Sequence, residues 1–158
     1  MFKEITSLPE LKIAGVLGKV FHGKQHETIP ELWEKLQKIK PNLDIQTPER
    51  CIGLEIYDPE AAKENAFLYM PSFAINDVKS DDENITIKLI PSGEYAVFTH
   101  KGSIENLHTI FPFIYKEWMP NSSYKVRAAY DLEWYDERFK GMSPDSEVDI
   151  YVPVSAKE

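Results

Sequence analysis

Two short acidic and aromatic runs carry the residues best suited to chemistry. Leu54-Glu55-Ile56-Tyr57-Asp58 and Leu132-Glu133-Trp134-Tyr135-Asp136 lie 78 residues apart (54 to 132) and match at four of five positions. On a β-strand successive side chains alternate between faces. Glu55 therefore goes with Tyr57 and Glu133 with Tyr135, while Leu54, Ile56, Leu132 and Trp134 point the other way. A carboxylate among phenol rings is chemistry for a lipophilic cation, because the acid supplies a full charge and the ring faces add quadrupole attraction. The same acid, with its pKa raised by burial, suits a general base or a nucleophile. In that hydrolytic reading Glu133 or Glu147 is the reacting acid and Tyr135 polarises the leaving group.

Other aromatic residues extend the candidate lining. Tyr69 lies in Leu68-Tyr69-Met70-Pro71 and Tyr151 in Ile150-Tyr151-Val152-Pro153, two stretches that share a Tyr-x-Pro signature. Tyr95 occupies a third strand-like run. With 8 Tyr, 8 Phe and 3 Trp, most aromatic side chains must be core. Trp33 and Trp118 fall on helical stripes and read that way first, although Phe111 and Trp118 are kept in the candidate lining.

Most other chemistries find no support. His22 and His26 are four apart but lack a third ligand at metal spacing, so no metal is expected. No Gly-rich phosphate loop, nucleophile elbow or Cys-x-x-Cys is present, and no cofactor is expected. The single cysteine, Cys51, excludes an internal disulfide, reads as a small core residue and suits a reducing compartment. A net charge of −8, with lysines scattered singly, argues against direct nucleic-acid binding and favours organic cations. No signal peptide and no apolar run of spanning length are legible, so the expected location is cytoplasmic and off the membrane.

The elements that must position these residues follow from periodicity. Leu11 to Phe21 reads as a first strand, with Gly15 and Gly18 hinting at a bulge. A helix follows, with Pro30 in its first turn and Ile29, Leu32, Trp33, Leu36 and Ile39 on one face. Strands are expected at 50–57 and 66–75, and the polar stretch 76–84 reads as a joint between two halves. Strands at 85–90 and 95–100 precede a second helix, capped by Ser103 and carrying Ile104, Leu107, Phe111, Ile114 and Trp118 on a stripe. Pro112 predicts a kink or late start there. Strands at 129–136 and 147–154 close the chain. The expectation is one α+β domain over 1–158, a β-α-β-β unit repeated at about 1–78 and 85–158. An antiparallel sheet carries two helices on one face and a central groove at the pseudo-two-fold. Leu54, Ile56, Leu132 and Trp134 are expected to pack under the helices, with the Glu/Tyr face turned away.

The second half also resembles a known family. Ile90-Pro91-Ser92-Gly93-Glu94-Tyr95-Ala96-Val97-Phe98-Thr99-His100-Lys101-Gly102 is similar to the entry strand of the GyrI-like small-molecule-binding family. Tyr115-Lys116-Glu117-Trp118-Met119-Pro120 resembles the end of its second helix, and Leu132-Glu133-Trp134-Tyr135 with Asp149-Ile150-Tyr151-Val152-Pro153 resembles its closing strands. The likeness is specific over about 87–155. It implies two β-α-β-β repeats around a groove and a pocket glutamate at Glu133 with Tyr135 as its motif neighbour. Members serve as effector-binding domains of AraC-type and MerR-type regulators or as freestanding proteins, and many bind several hydrophobic, often cationic, drugs. A few are hydrolases of strained electrophiles, and one type binds DNA gyrase. No helix-turn-helix is legible, so a freestanding binder of a lipophilic cation is the leading expectation. A small hydrolase and a gyrase-interacting protein are the alternatives.

Overall fold

A computed structural model describes residues 1–158. The strands are β1 (Phe2–Leu8), β2 (Leu11–Gly15), β3 (Gly18–Phe21), β4 (Leu43–Ile45), β5 (Cys51–Ile56), β6 (Ala66–Val78), β7 (Thr86–Ile90), β8 (Gly93–Lys101), β9 (Tyr124–Val126), β10 (Tyr130–Tyr135) and β11 (Glu147–Ala156). Helix α1 is Gln25–Ile39 and the short α2 is Pro59–Lys63, capped by Asp58, whose side chain accepts from the Ala61 amide at 3.0 Å. A composite helical segment, α3, covers 104–121. The fold is α+β.

Local chemistry explains where the elements depart from periodicity. The expected first strand is two strands, β2 and β3. At Gly15 the backbone presses so closely on the Pro71 carbonyl that a Cβ would overlap it, and the Val16 amide donates to that carbonyl at 3.3 Å. Pro30 sits inside α1 rather than in its first turn, because the helix begins at Gln25. Ser103 does cap α3, accepting from the Glu105 amide at 3.2 Å. Beyond it α3 is irregular: 3₁₀ turns over Ile104–Thr109, an α turn over Ile110–Pro112, a π turn over Phe113–Trp118 and an α turn over Met119–Asn121. Pro112 has no N–H to bond back to residue 108, and the helix changes its winding around that residue.

The strands join in the order β1-β8-β11-β10-β5-β6-β2-β7, with β3 and β4 also on β6 and β9 also on β11. All pairings are antiparallel. At the centre β10 pairs with β5, and Leu132 stands directly opposite Leu54. The two copies of the acidic motif thus meet at corresponding residues, which places a local two-fold axis at that pair. The register also sets Glu55 opposite Asp131 and Glu133 opposite Gly53.

The ends of this order are not free. β1 ends the order on one side and β2 is next to last on the other, yet they are linked by Pro9-Glu10 alone; β7 ends the far side and β8 is second, yet they are linked by Pro91-Ser92 alone. A two-residue link spans about 10 Å at most, so the sheet curls until its two ends are neighbours. Ile13, Ile52, Leu54, Met70, Ala74, Ile90, Tyr95, Leu132 and Trp134 form one cluster on the face inside the curl.

The helices pack on the other face. α1 lays Leu32, Leu36 and Ile39 on Val20, Phe67, Tyr69 and Phe73, and α3 lays Leu107, Ile110, Ile114 and Met119 on Phe98, Val148, Ile150 and Val152. This reverses the expected facing. Tyr69 is paired with Glu55 and Ile150 with Glu133, so the helices share the face of the glutamates, and Leu54, Leu132 and Trp134 fill the curl instead. The cause is the curl itself, which encloses the second apolar face without help from a helix.

Candidate functional site

Between the two helical clusters the central strands present their acids. Glu55 is 9% exposed, Glu133 4% and Asp131 0%. Asp131, Glu133 and Tyr135 are alternate residues of β10, while Glu55 leads along β5 to Tyr57, just past the strand end. Glu133 Oε1 accepts hydrogen bonds from the Tyr69 and Tyr135 hydroxyls, both at 2.7 Å. Asp131 Oδ2 accepts from Tyr57 at 2.5 Å and from Tyr115 of α3 at 2.8 Å. The Tyr57 hydroxyl also lies 3.3 Å from Glu55 Oε2, so it bridges the Asp131 and Glu55 carboxyls. Trp33 of α1 packs edge-on against Tyr135 at 5.3 Å and Tyr69 at 6.4 Å, which walls the Glu133 end. Tyr57 and Tyr115 are themselves edge-to-face at 6.3 Å. With Phe111, Pro112 and Lys116 they line an open cleft of about 440 Å³.

Gly53 makes room for one half of this arrangement. A Cβ there would overlap the Tyr69 hydroxyl and lie 2.7 Å from Glu133 Oε1. Its partner under the two-fold is Asp131, so the half-sites differ at one position. One half holds a glutamate under two phenols, and the other holds a glutamate beside an aspartate.

No lysine or arginine forms an ion pair with any of the three acids. Burial therefore pushes the Glu55 carboxyl well above the usual range; the charges of Asp131 and Glu133 add to this, as does a hydrogen bond with the Glu133 carboxyl. Burial likewise raises Asp131, the Tyr57 and Tyr115 hydrogen bonds oppose it, and the balance is pushed up to about 7. The phenols are driven upward too, by burial first and then by the adjacent acid: Asp131 for Tyr57 and Tyr115, Glu133 for Tyr69 and Tyr135. They remain O–H donors. Desolvation thus strains Glu55 and Asp131, and the acid cluster is closed by neutral phenols with no lysine or arginine paired to it, Lys116 standing in the adjoining cleft lining. No set of three His, Cys, Asp or Glu is placed to hold a metal ion.

The structure brings together Glu55, Tyr57, Tyr69, Glu133 and Tyr135, and sets Phe111 at the cleft. It does not bring in Tyr95, Tyr151 or Trp118. Tyr95 and Tyr151 meet edge-on at 6.2 Å inside the curl, where Tyr151 also covers Trp134 at 4.7 Å. The shared Tyr-x-Pro signature is one residue out of structural register: Leu54 pairs with Met70, whereas Leu132 pairs with Tyr151. A one-residue slip changes the face, so Tyr69 and Tyr151 are not equivalent. Trp118 stacks with Phe2 at 4.8 Å and meets Phe98 edge-on at 5.0 Å in the α3 core. Glu147 is 3.9 Å from Arg138 and belongs to an ion-pair group with Asp136 and Asp149, apart from the site. Sequence reasoning missed Asp131, Tyr115, Trp33 and Gly53 as site residues. Alternation along β10 was a signal for Asp131, two residues before Glu133. None marked Tyr115, whose direction depends on the π turn.

The comparisons with known proteins agree with this architecture. The chain is 28% identical over 156 residues to the transcriptional regulator BrlR of Pseudomonas aeruginosa PAO1, covering 98% of this chain and 56% of BrlR. The chain thus spans little more than half of that relative. It is 27% identical over 127 residues to the probable transcriptional regulator YgiV of Escherichia coli K12, covering 78% of this chain and 76% of YgiV. Among solved structures, SAV2435 bound to tetraphenylphosphonium superposes with a TM-score of 0.74 at 15% identity, covering 98% of this chain and 94% of that one. EcmrR in its DNA complex superposes at 0.73 with 21% identity, covering 99% of this chain and 58% of that one. The GyrI-like small-molecule-binding domain matches residues 1–155, and the chain belongs to that family.

Proposed function

We propose that this chain is a receptor for lipophilic organic cations, with Glu133 as the principal counter-charge. The observation that carries the reading is the buried acid cluster, ringed by phenols and without a lysine or arginine partner. Ionising such acids in a desolvated site is costly, and an organic cation offsets the cost while its apolar body covers the aromatic rings. A neutral ligand gives up that gain, and an anion meets repulsion. The neighbour SAV2435, solved with tetraphenylphosphonium, has the same fold and supports the ligand class. Tetraphenylphosphonium and tetraphenylborate test it, since they share a shape and differ in charge. The phosphonium should bind saturably and the borate at least roughly tenfold more weakly, a gap of about 1.4 kcal/mol or more. Equal binding of the two would remove the electrostatic basis of the reading. The phosphonium should also be recovered with unchanged mass, as a binding role requires.

A further inference from the structure

The two halves of the site are unequal, and the inequality points to the ligand's charge. Glu133 is served by two phenols and touches Glu55. Asp131, wholly buried, uses one oxygen to accept from Tyr57 and Tyr115, while its Oδ1 is buried with no hydrogen-bond partner at all. An orphaned carboxylate oxygen in a desolvated place costs about 1–3 kcal/mol or more unless something satisfies it. One monocation over Glu133 leaves that oxygen unsatisfied.

We propose that the site takes a flat organic dication, one positive centre held by Glu133 and the second by Asp131 together with Glu55. This rests on the cation-binding reading of the same site and names its ligand class more closely. The spacing fits. Asp131 and Glu133 are alternate residues on β10, so their backbones are about 7 Å apart, close to the separation of the two nitrogens in a 4,4′-bipyridinium. Aromatic rings stand at both ends: Tyr57 and Tyr115 at Asp131, and Trp33 with Tyr69 and Tyr135 at Glu133. The groups that face Asp131 are all acids or phenols: Glu55, Glu133, Tyr57 and Tyr115. Lys116 lines the adjoining cleft but forms no ion pair with these acids, so a second positive charge meets unpaired acids, and it draws protons off the cluster as it binds.

The test is a matched pair, N,N′-dimethyl-4,4′-bipyridinium and N-methyl-4-phenylpyridinium, of nearly one shape with two charges and one. Each is titrated calorimetrically at pH 7 into wild type and Asp131→Asn, in two buffers of different ionisation enthalpy. The wild type should prefer the dication by tenfold or more and release more protons to it than to the monocation. Asp131→Asn should lose most of that preference, the dication weakening by more than the monocation. Equal affinities and equal proton release in the wild type overturn the proposal but leave the cation receptor standing. A dication preference that survives Asp131→Asn also overturns it. If neither probe nor tetraphenylphosphonium binds, both readings fall. Should Asp131→Asn misfold, the proton release of the wild type alone decides.

Discussion

At Asp131, desolvation and hydrogen bonding pull in opposite directions, and the result is a pH dependence with a definite sign. Its pKa is about 7 in the folded protein against an ordinary 3.8. Between those values the unfolded chain gives up its proton and the folded chain keeps it, so stability falls as pH rises from about 4 to 7 and then levels. A shift of that size corresponds to a penalty on the order of 4 kcal/mol. Asp131→Asn should flatten the slope and raise stability at pH 8, as read by urea denaturation at pH 5 and pH 8; an unchanged slope would show that Asp131 is not the titrating group. Cation affinity should move the opposite way and rise with pH through 7, since the ligand needs the ionised acid. Gly53→Ala offers a second residue-scale check. The added methyl crowds Tyr69 and Glu133, with an expected cost of about 1–3 kcal/mol in stability and loss of most cation binding; wild-type affinity in that variant would contradict the packing described. Glu55, Tyr57, Glu133 and Tyr135 were legible as a set because period-two alternation needs no tertiary information. Asp131 obeyed the same rule, and its role came from the register that sets it against Glu55, which pairing alone decides.

Among the elements, α1 and α3 frame the site in different ways. α1 is regular, and its Leu36 is completely buried over β3 and β6. Leu36→Ala should cost about 2–5 kcal/mol by thermal or chemical denaturation and leave cation affinity nearly unchanged below the unfolding transition. α3 is irregular, and the irregularity delivers a site residue. The π turn over Phe113–Trp118 carries Tyr115 to Asp131. Tyr115→Phe removes one of the two donors that hold the Asp131 pKa down, so its affinity loss should be larger at pH 7 than at pH 9, and a pH-independent loss would contradict this. Apolar periodicity exposed both helices and the Ser103 cap, and Pro112 flagged a break. Which winding follows that proline depends on the sheet beneath it, and no local signal reports that. The facing of the sheet was likewise hidden, because both faces of β5 and β10 are mostly buried and alternation alone does not say which face the helices cover.

For the whole molecule, the edge strands are exchanged between the two halves. β1 precedes the first unit but completes the second by pairing with β8, and β7 precedes the second but completes the first by pairing with β2. Phe2 stacking on Trp118 and the 3.1 Å Lys3–Asp149 ion pair hold β1 in place. Residues 1–81 and 82–158 expressed separately should each fail to give a cooperative thermal transition and should form a folded complex on mixing; independent folding of either piece would contradict the exchange. The repeated acidic motif was visible in the chain because its spacing survives, while β1, a charged edge strand with little apolar pattern, was not. The same two-fold brings Glu55, Asp131 and Glu133 to one place, and the account stands on that cluster being a cation's counter-charge. The most direct test is a calorimetric titration of tetraphenylphosphonium into wild type and Glu133→Gln at pH 8. The account predicts saturable binding that the substitution weakens by roughly tenfold or more, about 1.4 kcal/mol, with folding retained; equal affinity for the two proteins would contradict it.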